Sequence, residues 1–350
     1  MSHDALTPRS GRILATVVRE YIHTGEPVAS LVIARRGVLG VSSATIRNVL
    51  AKLEEQGFVR QPHTSAGRVP TDLGYRFYVD LLLESRKPVP SASVEERLRR
   101  ETGTDPLLDE VLAHVTHLLS SESRHVGFAL SSPRADARLH KVEFVSIAAF
   151  KVLVIIVAEG GQVSQKVVDV GSQLSPDDLR RAAEYVNQEF SGLPLLQVRE
   201  VLVARLQEER TLYDRLLEQA YRLASRSLAD TPGEHTLFVE GAASLLDEAA
   251  LHPELQMSTL RVLLQMMEEK QRLVHLLTEY LEGPGVTVVI GAEHSDPSLR
   301  SFSLVASTFF DGQGTGSVGV IGPTRMRYSR AISMVDGMAQ AVSRVLGASN

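Results

Sequence analysis

The residues with the clearest capacity for chemistry lie in the segment 42–52. At about 100° of rotation per residue, its apolar side chains gather on one side of a helix, and the other side carries Ala44, Arg47, Asn48, Ala51 and Lys52. Ser42, Ser43 and Thr45 stand at the start of that helix, where hydroxyls and backbone N–H groups suit phosphate oxygens. Small residues allow close approach, and Arg and Asn reach base edges. The pattern predicts a helix that enters the major groove of DNA.

A second polar group follows in the turn of a predicted hairpin. The β-prone stretches around Phe58–Gln61 and Val69 are joined by a tip that contains His63, Thr64, Ser65, Gly67 and Arg68. Such a tip suits a wing on the DNA backbone or in the minor groove. Two alternatives stay open. Arg47 could pair with Glu54 or Glu55 instead, and His63 could simply cap the turn.

The elements that must position these groups are three short helices, a hairpin and a closing helix. Apolar residues at helical spacing predict the helices, and residues typical of caps and breaks separate them. These are Gly25-Glu26-Pro27 after the first helix, Ser30 before the second, Ser42 or Ser43 before the third, Gly57 after it and Thr71-Asp72 before the fourth. The order predicts a winged helix-turn-helix over residues 1–86. A winged helix that binds another protein is the alternative.

The rest of the chain is predicted to hold a linker and a mixed domain with an insertion. Residues 87–106 are the linker, in which Pro and Ser break regular structure and 95–101 favours only an exposed helical turn or two. Helices and strands alternate over 107–192, where Val152–Val157 is typical of a central strand. Residues 193–282 show only amphipathic helices, including one over Thr259–Leu281, and strands resume in 283–350. The predicted fold class is multidomain α+β, with an all-helical block inserted in an α/β domain.

Composition narrows the functional classes. The 350-residue chain is 43% apolar and has no Cys or Trp, which removes disulfides, thiolate metal sites and Cys nucleophiles. Its longest apolar run, Val152–Ala158, is far shorter than the roughly 20 residues of a membrane span. With no hydrophobic signal core at the N-terminus, a cytoplasmic, nucleoid-associated protein is expected. Residues 1–87 hold 12 basic and 8 acidic residues, against 25 and 34 in the remainder. A basic first segment on an acidic remainder favours a nucleic-acid partner.

Several runs of residues resemble the HrcA family of bacterial heat-inducible transcription repressors. They are Ser42-Ser43-Ala44-Thr45-Ile46-Arg47-Asn48, Gln61-Pro62-His63-Thr64-Ser65-Ala66-Gly67-Arg68-Val69-Pro70, Gly74-Tyr75-Arg76-Phe77-Tyr78-Val79-Asp80, and Gly319-Val320-Ile321-Gly322-Pro323-Thr324-Arg325-Met326 with Tyr328. The resemblance is dense over 6–83, and the middle of the chain is similar mainly in layout. Val49-Leu50, where members often carry an acidic residue and Met, departs from the pattern at positions that face inward or sideways.

The resemblance implies a dimeric repressor that binds an inverted-repeat operator upstream of chaperone operons and releases it on heat shock. It also implies a winged helix, a GAF-like domain, an inserted helical dimerisation domain and modulation by the chaperonin. Carried over by residue, Ser42, Ser43, Thr45, Arg47 and Asn48 become major-groove candidates, with Arg47 assigned to a guanine and Asn48 to an adenine. Lys52, His63, Thr64, Ser65 and Arg68 become phosphate or wing candidates. The expected partners are operator DNA, a second copy of the chain and the chaperonin, with no membrane.

Other signals favour neither an enzyme nor a cofactor protein. Gly314-Thr315-Gly316-Ser317-Val318-Gly319 matches a dinucleotide fingerprint, but a strand and turn are predicted where a helix must begin. His114, His117 and Glu110 share a helical face at ligand spacing, and a solvated surface is the simpler interpretation. No cofactor, metal site or catalytic residue is expected. A regulator that senses a small molecule through the GAF-like domain is the second hypothesis, and an enzyme using 312–322 for a nucleotide is the third. Loss of activity by partial unfolding is the hypothesis for the heat response.

Overall fold

The structure is a computed structural model, and it describes the chain with gaps. The described residues are 6–36, 40–63, 66–86, 92–103, 107–131, 138–159, 163–170, 174–195, 197–198, 200–202, 236–242, 257–280, 283–311 and 314–347. We call the described residues of 6–86 the head and those of 92–347 the body. Within these ranges, no helix combines the length and the apolar character that a bilayer crossing requires.

The head contains the helices and hairpin that the sequence predicts, in the predicted order. Its elements are α1 (Pro8–Thr24), α2 (Ser30–Arg35), α3 (Ser43–Glu55), β1 (Val59–Arg60), β2 (Val69–Pro70) and α4 (Asp72–Glu84). Ser42 caps α3 and Thr71 caps α4 through their hydroxyls. Gly25 ends α1 at a φ of 71°, a left-handed conformation that suits glycine. One detail of the prediction is wrong, because Ala29 rather than Ser30 occupies the N-cap of α2.

The body is built on a five-stranded antiparallel sheet that joins distant parts of the chain. Its strands are β3 (Val126–Ser131), β7 (Leu237–Glu240), β8 (Val286–Ile290), β9 (Phe302–Phe310) and β10 (Thr315–Pro323), in the order β7-β3-β10-β9-β8. Phe128 of β3 lies opposite Gly319 of β10. The first strand of the earlier strand-rich part, β3, therefore joins the strands of the later part in one sheet.

Helices cover both faces of this sheet. On one face lie α6 (Leu108–Ser123) and α10 (Tyr328–Gly347), and on the other lie α8 (Met257–Glu268) and α9 (Lys270–Tyr280). The segment predicted as one long helix over Thr259–Leu281 is thus two helices. Leu263, Met266 and Leu273 are fully buried against the sheet. These side chains are consequently committed to the core of their own chain.

A separate three-stranded antiparallel sheet carries its own core. It contains β4 (Leu139–Ala148), β5 (Lys151–Ala158) and β6 (Val163–Asp169), with β5 in the centre. Helix α7 (Pro176–Phe190) packs against β4, and Ser175 caps it. The burial of β5 alternates along the strand, so one face of the sheet is covered and the other is open.

Two expectations about the middle of the chain are wrong. The block 193–282 is not all-helical, because it contributes β7, which pairs with β3 at the edge of the five-stranded sheet. The segment 95–101 is not an exposed turn or two, because it belongs to α5 (Ala92–Thr102), whose Leu98 is fully buried where the helix packs on α6 and α10. The parts 203–235 and 243–256 lie outside the described residues, and the domain boundaries stay predictions.

The head and the body share one hydrophobic core. A single cluster of buried side chains extends from Val17 and Val79 of the head to Ile332 and Val335 of α10. The Tyr75 ring lies 5.9 Å from the Tyr328 ring across this junction. We call the junction the seam. It holds the head in a defined position on the body.

Candidate nucleic-acid interface

Helix α3 is oriented by its apolar face. Ile46, Leu50 and Leu53 are buried, and the helix packs against α1 and α2. Burying these three side chains stabilises the fold by about 25 cal/mol for each Å² of apolar surface removed from water. Because this face is fixed in the core, the opposite face must point outward.

The outer face of α3 carries exposed cationic, amide and small side chains, and the exposed Glu55 lies on the same side in the last turn. Arg47, Asn48 and Lys52 are exposed, as is the small Ala44 beside them. In the part of the chain that the structure describes, the side chains of Arg47, Asn48 and Lys52 form no hydrogen bond or ion pair with protein groups. Among the described residues, Arg47 pairs with neither Glu54 nor Glu55, and Glu54 binds other groups.

The hydroxyls at the start of α3 hold the helix in place. Ser42 Oγ accepts a hydrogen bond from the Thr45 backbone N–H at 3.2 Å and lies 3.0 Å from Thr45 Oγ1. Ser43 Oγ lies 3.0 Å from Ser30 Oγ, which ties the start of α3 to the start of α2. Ser42 is exposed, while Ser43 and Thr45 are half-buried. Capping of this kind stabilises a helix by about 1 kcal/mol. These residues therefore stabilise the start of α3, whether or not they also contact DNA.

The hairpin tip is described only in part. His63 is exposed, and its carbonyl accepts a hydrogen bond from the Ala66 N–H at 2.8 Å. Gln61 Nε2 donates to the Ala66 carbonyl at 3.0 Å and closes the turn further. Thr64 and Ser65 lie outside the described residues. The predicted DNA contacts of all three residues, His63, Thr64 and Ser65, stay predictions.

Arg68 lies inside the head. Its backbone exchanges two 2.9 Å hydrogen bonds with Val28, and its Nη2 lies 2.8 Å from Glu54 Oε2 of α3. Glu54 also accepts a hydrogen bond from the Gln61 N–H at 3.0 Å. A Cβ on the adjacent Gly67 would collide with the backbone of Val28. Arg68 therefore ties the hairpin to α3 and to the loop before α2, and a phosphate contact would compete with Glu54.

One exposed cation of the hairpin was missed in the sequence. Arg60 on β1 points to solvent, while its neighbour Val59 is buried. The period of two in a strand predicts this alternation. The signal was present in the Val59-Arg60 pair, although two residues are too short a strand to make it conspicuous. Arg60 belongs to the same hairpin as His63 and adds to its positive charge.

The seam places a second group of charged residues under α4. Arg76 Nε donates to Glu293 Oε1 at 2.7 Å and its Nη2 donates to the Val288 carbonyl at 2.6 Å, with Asp80 Oδ1 3.3 Å away. Burial lowers the pKa of Arg76, but Glu293 and Asp80 outweigh burial and leave that pKa above its usual value. Nearby, the Ala292 N–H donates to Asp72 Oδ2 at 2.8 Å. The Nε and Nη2 groups of Arg76 thus hold the head on the body.

Two other sequence signals have structural explanations. The glycines of the 314–319 run lie in or beside β10, where a Cβ on Gly316 or Gly319 would collide with Phe309 or Phe128. Close packing of the sheet accounts for Gly316 and Gly319. His117 Nδ1 lies 2.7 Å from Glu240 Oε1, and His114 contacts Glu101. Within the described residues, no three His, Asp or Glu side chains are placed to hold a metal ion.

Comparisons with known proteins agree on one family. The family model described as HrcA protein C terminal domain matches residues 109–332. A heat-inducible transcription repressor HrcA of Geobacter sulfurreducens is 40% identical over 347 residues, covering 97% of this chain and 98% of the relative. The HrcA of Syntrophobacter fumaroxidans is 34% identical over 349 residues and 97% of each chain. A solved structure described as a hypothetical protein aligns over all of both chains with a TM-score of 0.63 and 24% identity, which shows the fold alone.

A mixed α/β body that carries a small head of helices and a hairpin, together with these relatives, defines the chain as a transcription repressor. The curated relatives are transcription repressors, a class that is not enzymatic. The chain belongs to the HrcA family, whose curated members are named heat-inducible transcription repressors.

Proposed function

We propose that this repressor binds an inverted-repeat DNA operator as a homodimer, through a winged helix formed by its first 86 residues, and represses heat-shock chaperone operons. The observation that carries the proposal is the outer face of α3. Arg47, Asn48 and Lys52 are exposed there on a helix whose opposite face is buried. Exposed cations suit a polyanion, because no desolvation of an internal ion pair precedes binding.

The three side chains receive different roles. Arg47 reads a guanine and Asn48 reads an adenine, since each forms bidentate hydrogen bonds with that base in the major groove. Each such pair discriminates against a wrong base by about 1–3 kcal/mol. Lys52 lies one turn further from the helix start and contacts phosphate. The exposed Ala44 admits the helix close to the base edges, while Ser42, Ser43 and Thr45 present the helix start to a phosphate.

The homodimer forms through the open face of the three-stranded sheet. Val145, Leu153 and Val167 lie side by side across its strands, and Val145 and Val167 are 42% and 50% exposed. Phe150 at the β4–β5 turn is 57% exposed. A contiguous apolar face of this kind marks an interaction site in a folded protein. A second copy is the occupant, because two heads are needed to read two inverted half-sites.

The remaining steps of regulation are proposed from membership of the family. The body contains the GAF-like domain, and the chaperonin keeps the repressor active. Heating releases the operator by loosening the seam that holds the head on the body. The seam is suited to this because it contains charged groups as well as apolar ones, and a change of one or two kcal/mol is a large share of total stability.

A gel shift with two DNA duplexes tests DNA recognition. We expect the wild-type protein to prefer an inverted repeat from its own promoter regions over a scrambled duplex of equal length. Arg47→Ala should lose about 5- to 150-fold of that preference, the equivalent of 1–3 kcal/mol. Lys52→Ala should weaken binding to both duplexes and reduce the salt dependence by about one phosphate contact.

The control is Arg100→Ala, which removes an exposed arginine that pairs with Glu96 on α5. It should leave both affinities unchanged. Equal loss on both duplexes for Arg47→Ala would refute base reading by that residue. A wild-type protein that binds the inverted repeat no better than scrambled DNA would refute operator recognition itself.

The dimer surface has a separate test by light scattering after size exclusion. Val167→Glu places a charge on the open sheet face, on its edge strand β6, and should convert the dimer to a monomer. Gln188→Glu, an equal charge at an exposed position of α7, which covers the other face of the sheet, is the matched control and should remain dimeric. If Val167→Glu also remains dimeric, the contact between the two copies lies elsewhere.

A further inference from the structure

A basic groove lies at the seam, on a different surface from the outer face of α3. It has a volume of about 730 Å³ and is lined by residues of both the head and the body. The last turn of α1 supplies Ile22 and His23 from the head, and the body supplies Arg124, Arg325, Arg327 and Arg330. No residue of α3 lines it. Volumes of 300–1,000 Å³ are typical of small-ligand sites.

The groove is strongly positive. Glu122 is the one carboxylate among its described lining residues, and Arg97 Nη1 lies 2.9 Å from Glu122 Oε1. An adjoining groove of about 640 Å³ shares His23, Arg327 and Arg330, adds Arg19, and has no carboxylate among its described lining residues. Four guanidinium groups therefore line the main groove, and its one carboxylate among the described lining residues is paired with Arg97.

Backbone groups fix the walls of the groove. The 20-residue helix α10 starts at Tyr328, so the positive end of its dipole lies at the lining residues Arg327 and Arg330. Arg330 Nη2 donates to the Glu122 carbonyl at 3.2 Å. On the head side, a Cβ on Gly25 would collide with the Arg325 guanidinium. The two units are thus in direct contact at the groove.

Arg124 occupies a position that would suit glycine better. It ends α6 at a φ of 62°, and within the described residues no other non-glycine residue has a positive φ. Its N–H donates to the Ser120 carbonyl at 2.9 Å, as a glycine there would. The left-handed backbone conformation is unfavourable for a residue that has a Cβ, so it lowers the stability of the fold. The exposed arginine side chain at the groove is what this position gains over glycine.

We propose that this groove binds a small anion with two or more phosphate groups, held between Arg124, Arg325, Arg327 and Arg330, and that the bound anion stabilises the docked arrangement of head and body. Arginine suits phosphate because its planar fork donates two hydrogen bonds at once. A ligand that contacts both units binds the docked state better than the undocked one and so shifts the equilibrium towards it.

Isothermal titration of the full chain with inorganic pyrophosphate, at constant ionic strength, tests the proposal. We expect saturable binding and a higher Tm in the presence of pyrophosphate. Arg327→Gln and Arg124→Gly should each weaken binding at least tenfold. Arg124→Gly should also raise the Tm of the free protein by about 1–3 °C, since glycine relieves the strained backbone. A gain in stability with a loss of binding separates the ligand role of Arg124 from a structural one.

The matched control is Arg100→Gln, an equal loss of charge on α5, which should change the affinity for pyrophosphate less than twofold. Absence of saturable binding would overturn the proposal, as would equal weakening by Arg100→Gln, because general charge would then explain the effect. A duplex of unrelated sequence that binds only when Arg124 and Arg327 are intact, while pyrophosphate does not bind, would also overturn it and assign the groove to the DNA backbone.

Discussion

The outer face of α3 and the seam under α4 use the same residue type in opposite ways. Arg47 on α3 is exposed, and its guanidinium has no protein partner among the described residues. Arg76 on α4 is three-quarters covered and binds Glu293, Asp80 and the Val288 carbonyl. An arginine without protein partners is available to a ligand, whereas an arginine that binds groups in another part of the chain holds the two parts together.

The comparison explains why charge alone does not identify a DNA contact. The head carries both kinds of arginine, and Arg68 is intermediate because it faces the hairpin yet pairs with Glu54. Breaking a partly buried pair leaves an uncompensated charge and costs stability. Removing an exposed, unpaired side chain changes the free energy of unfolding very little. Binding and stability measurements on the same variants should therefore separate the two regions.

The largest effect is expected for Arg76→Met. It removes the bonds to Glu293 and Val288, and hydrogen bonds with a charged partner contribute about 1.5–3 kcal/mol. We expect the free energy of unfolding, from urea denaturation followed by circular dichroism, to fall by about 2–3 kcal/mol. Arg47→Met is the control and should stay within about 0.5 kcal/mol of wild type. Equal destabilisation by both variants would contradict the distinction between the two arginines.

Gly291→Ala should have the next largest effect. Gly291 has a φ of 51°, and a Cβ there would collide with the Asp72 carboxylate that receives the Ala292 N–H. The left-handed backbone costs an ordinary residue about 1–2 kcal/mol. We expect a loss of about 2 kcal/mol in the same denaturation experiment. Gly283→Ala, where no atom lies within 4 Å of the added Cβ, is the control. If both changes are harmless, the seam does not depend on this contact.

Arg68→Ala should lower both the stability of the protein and its affinity for DNA, with a smaller loss of stability than the two changes above. The loss of the Glu54 pair should lower the free energy of unfolding by about 1 kcal/mol. Because the hairpin then loses its tie to α3, affinity should fall by a similar factor for operator and scrambled DNA in a gel shift. A selective loss on the operator would instead show that Arg68 reads bases. Glu54→Gln should share the loss of stability if the pair is its cause.

The smallest effect concerns pH. Burial lowers the pKa of His294 below its usual 6.5, more than the Phe302 backbone, Glu293 and Asp296 raise it. The unfolded chain therefore binds a proton first as the pH falls below 6.5, and stability should decline until the pH reaches the folded pKa. His294→Gln should flatten urea midpoints between pH 7 and 5. Replacing the exposed His140 by Gln should leave the slope unchanged, and a flat wild-type profile would contradict the assignment.

Local patterns were sufficient to predict the head. The buried side of α3, its cap at Ser42 and the order of helices and hairpin all depend on residues a few positions apart. The body was harder. Strand β7 has only four residues and is formed by pairing with β3, more than 100 positions away. Helix α5 has Leu98 as its one buried residue, so its charged sequence resembled a solvated linker. The DNA contacts expected of Thr64 and Ser65, at the tip of the hairpin, stay predictions.

The sequence by itself determined which face of α3 is apolar and which face carries Arg47, Asn48 and Lys52, because helical periodicity follows from spacing alone. It could not decide which arginines are free to bind. Arg76 meets Glu293 across 217 positions, and Arg68 meets Glu54 only after the hairpin folds back on α3. The groove between Arg124 and Arg327 likewise exists only where α1, α6 and α10 converge. Long-range packing selects the partner of each charge, and that selection has no local signature in the chain.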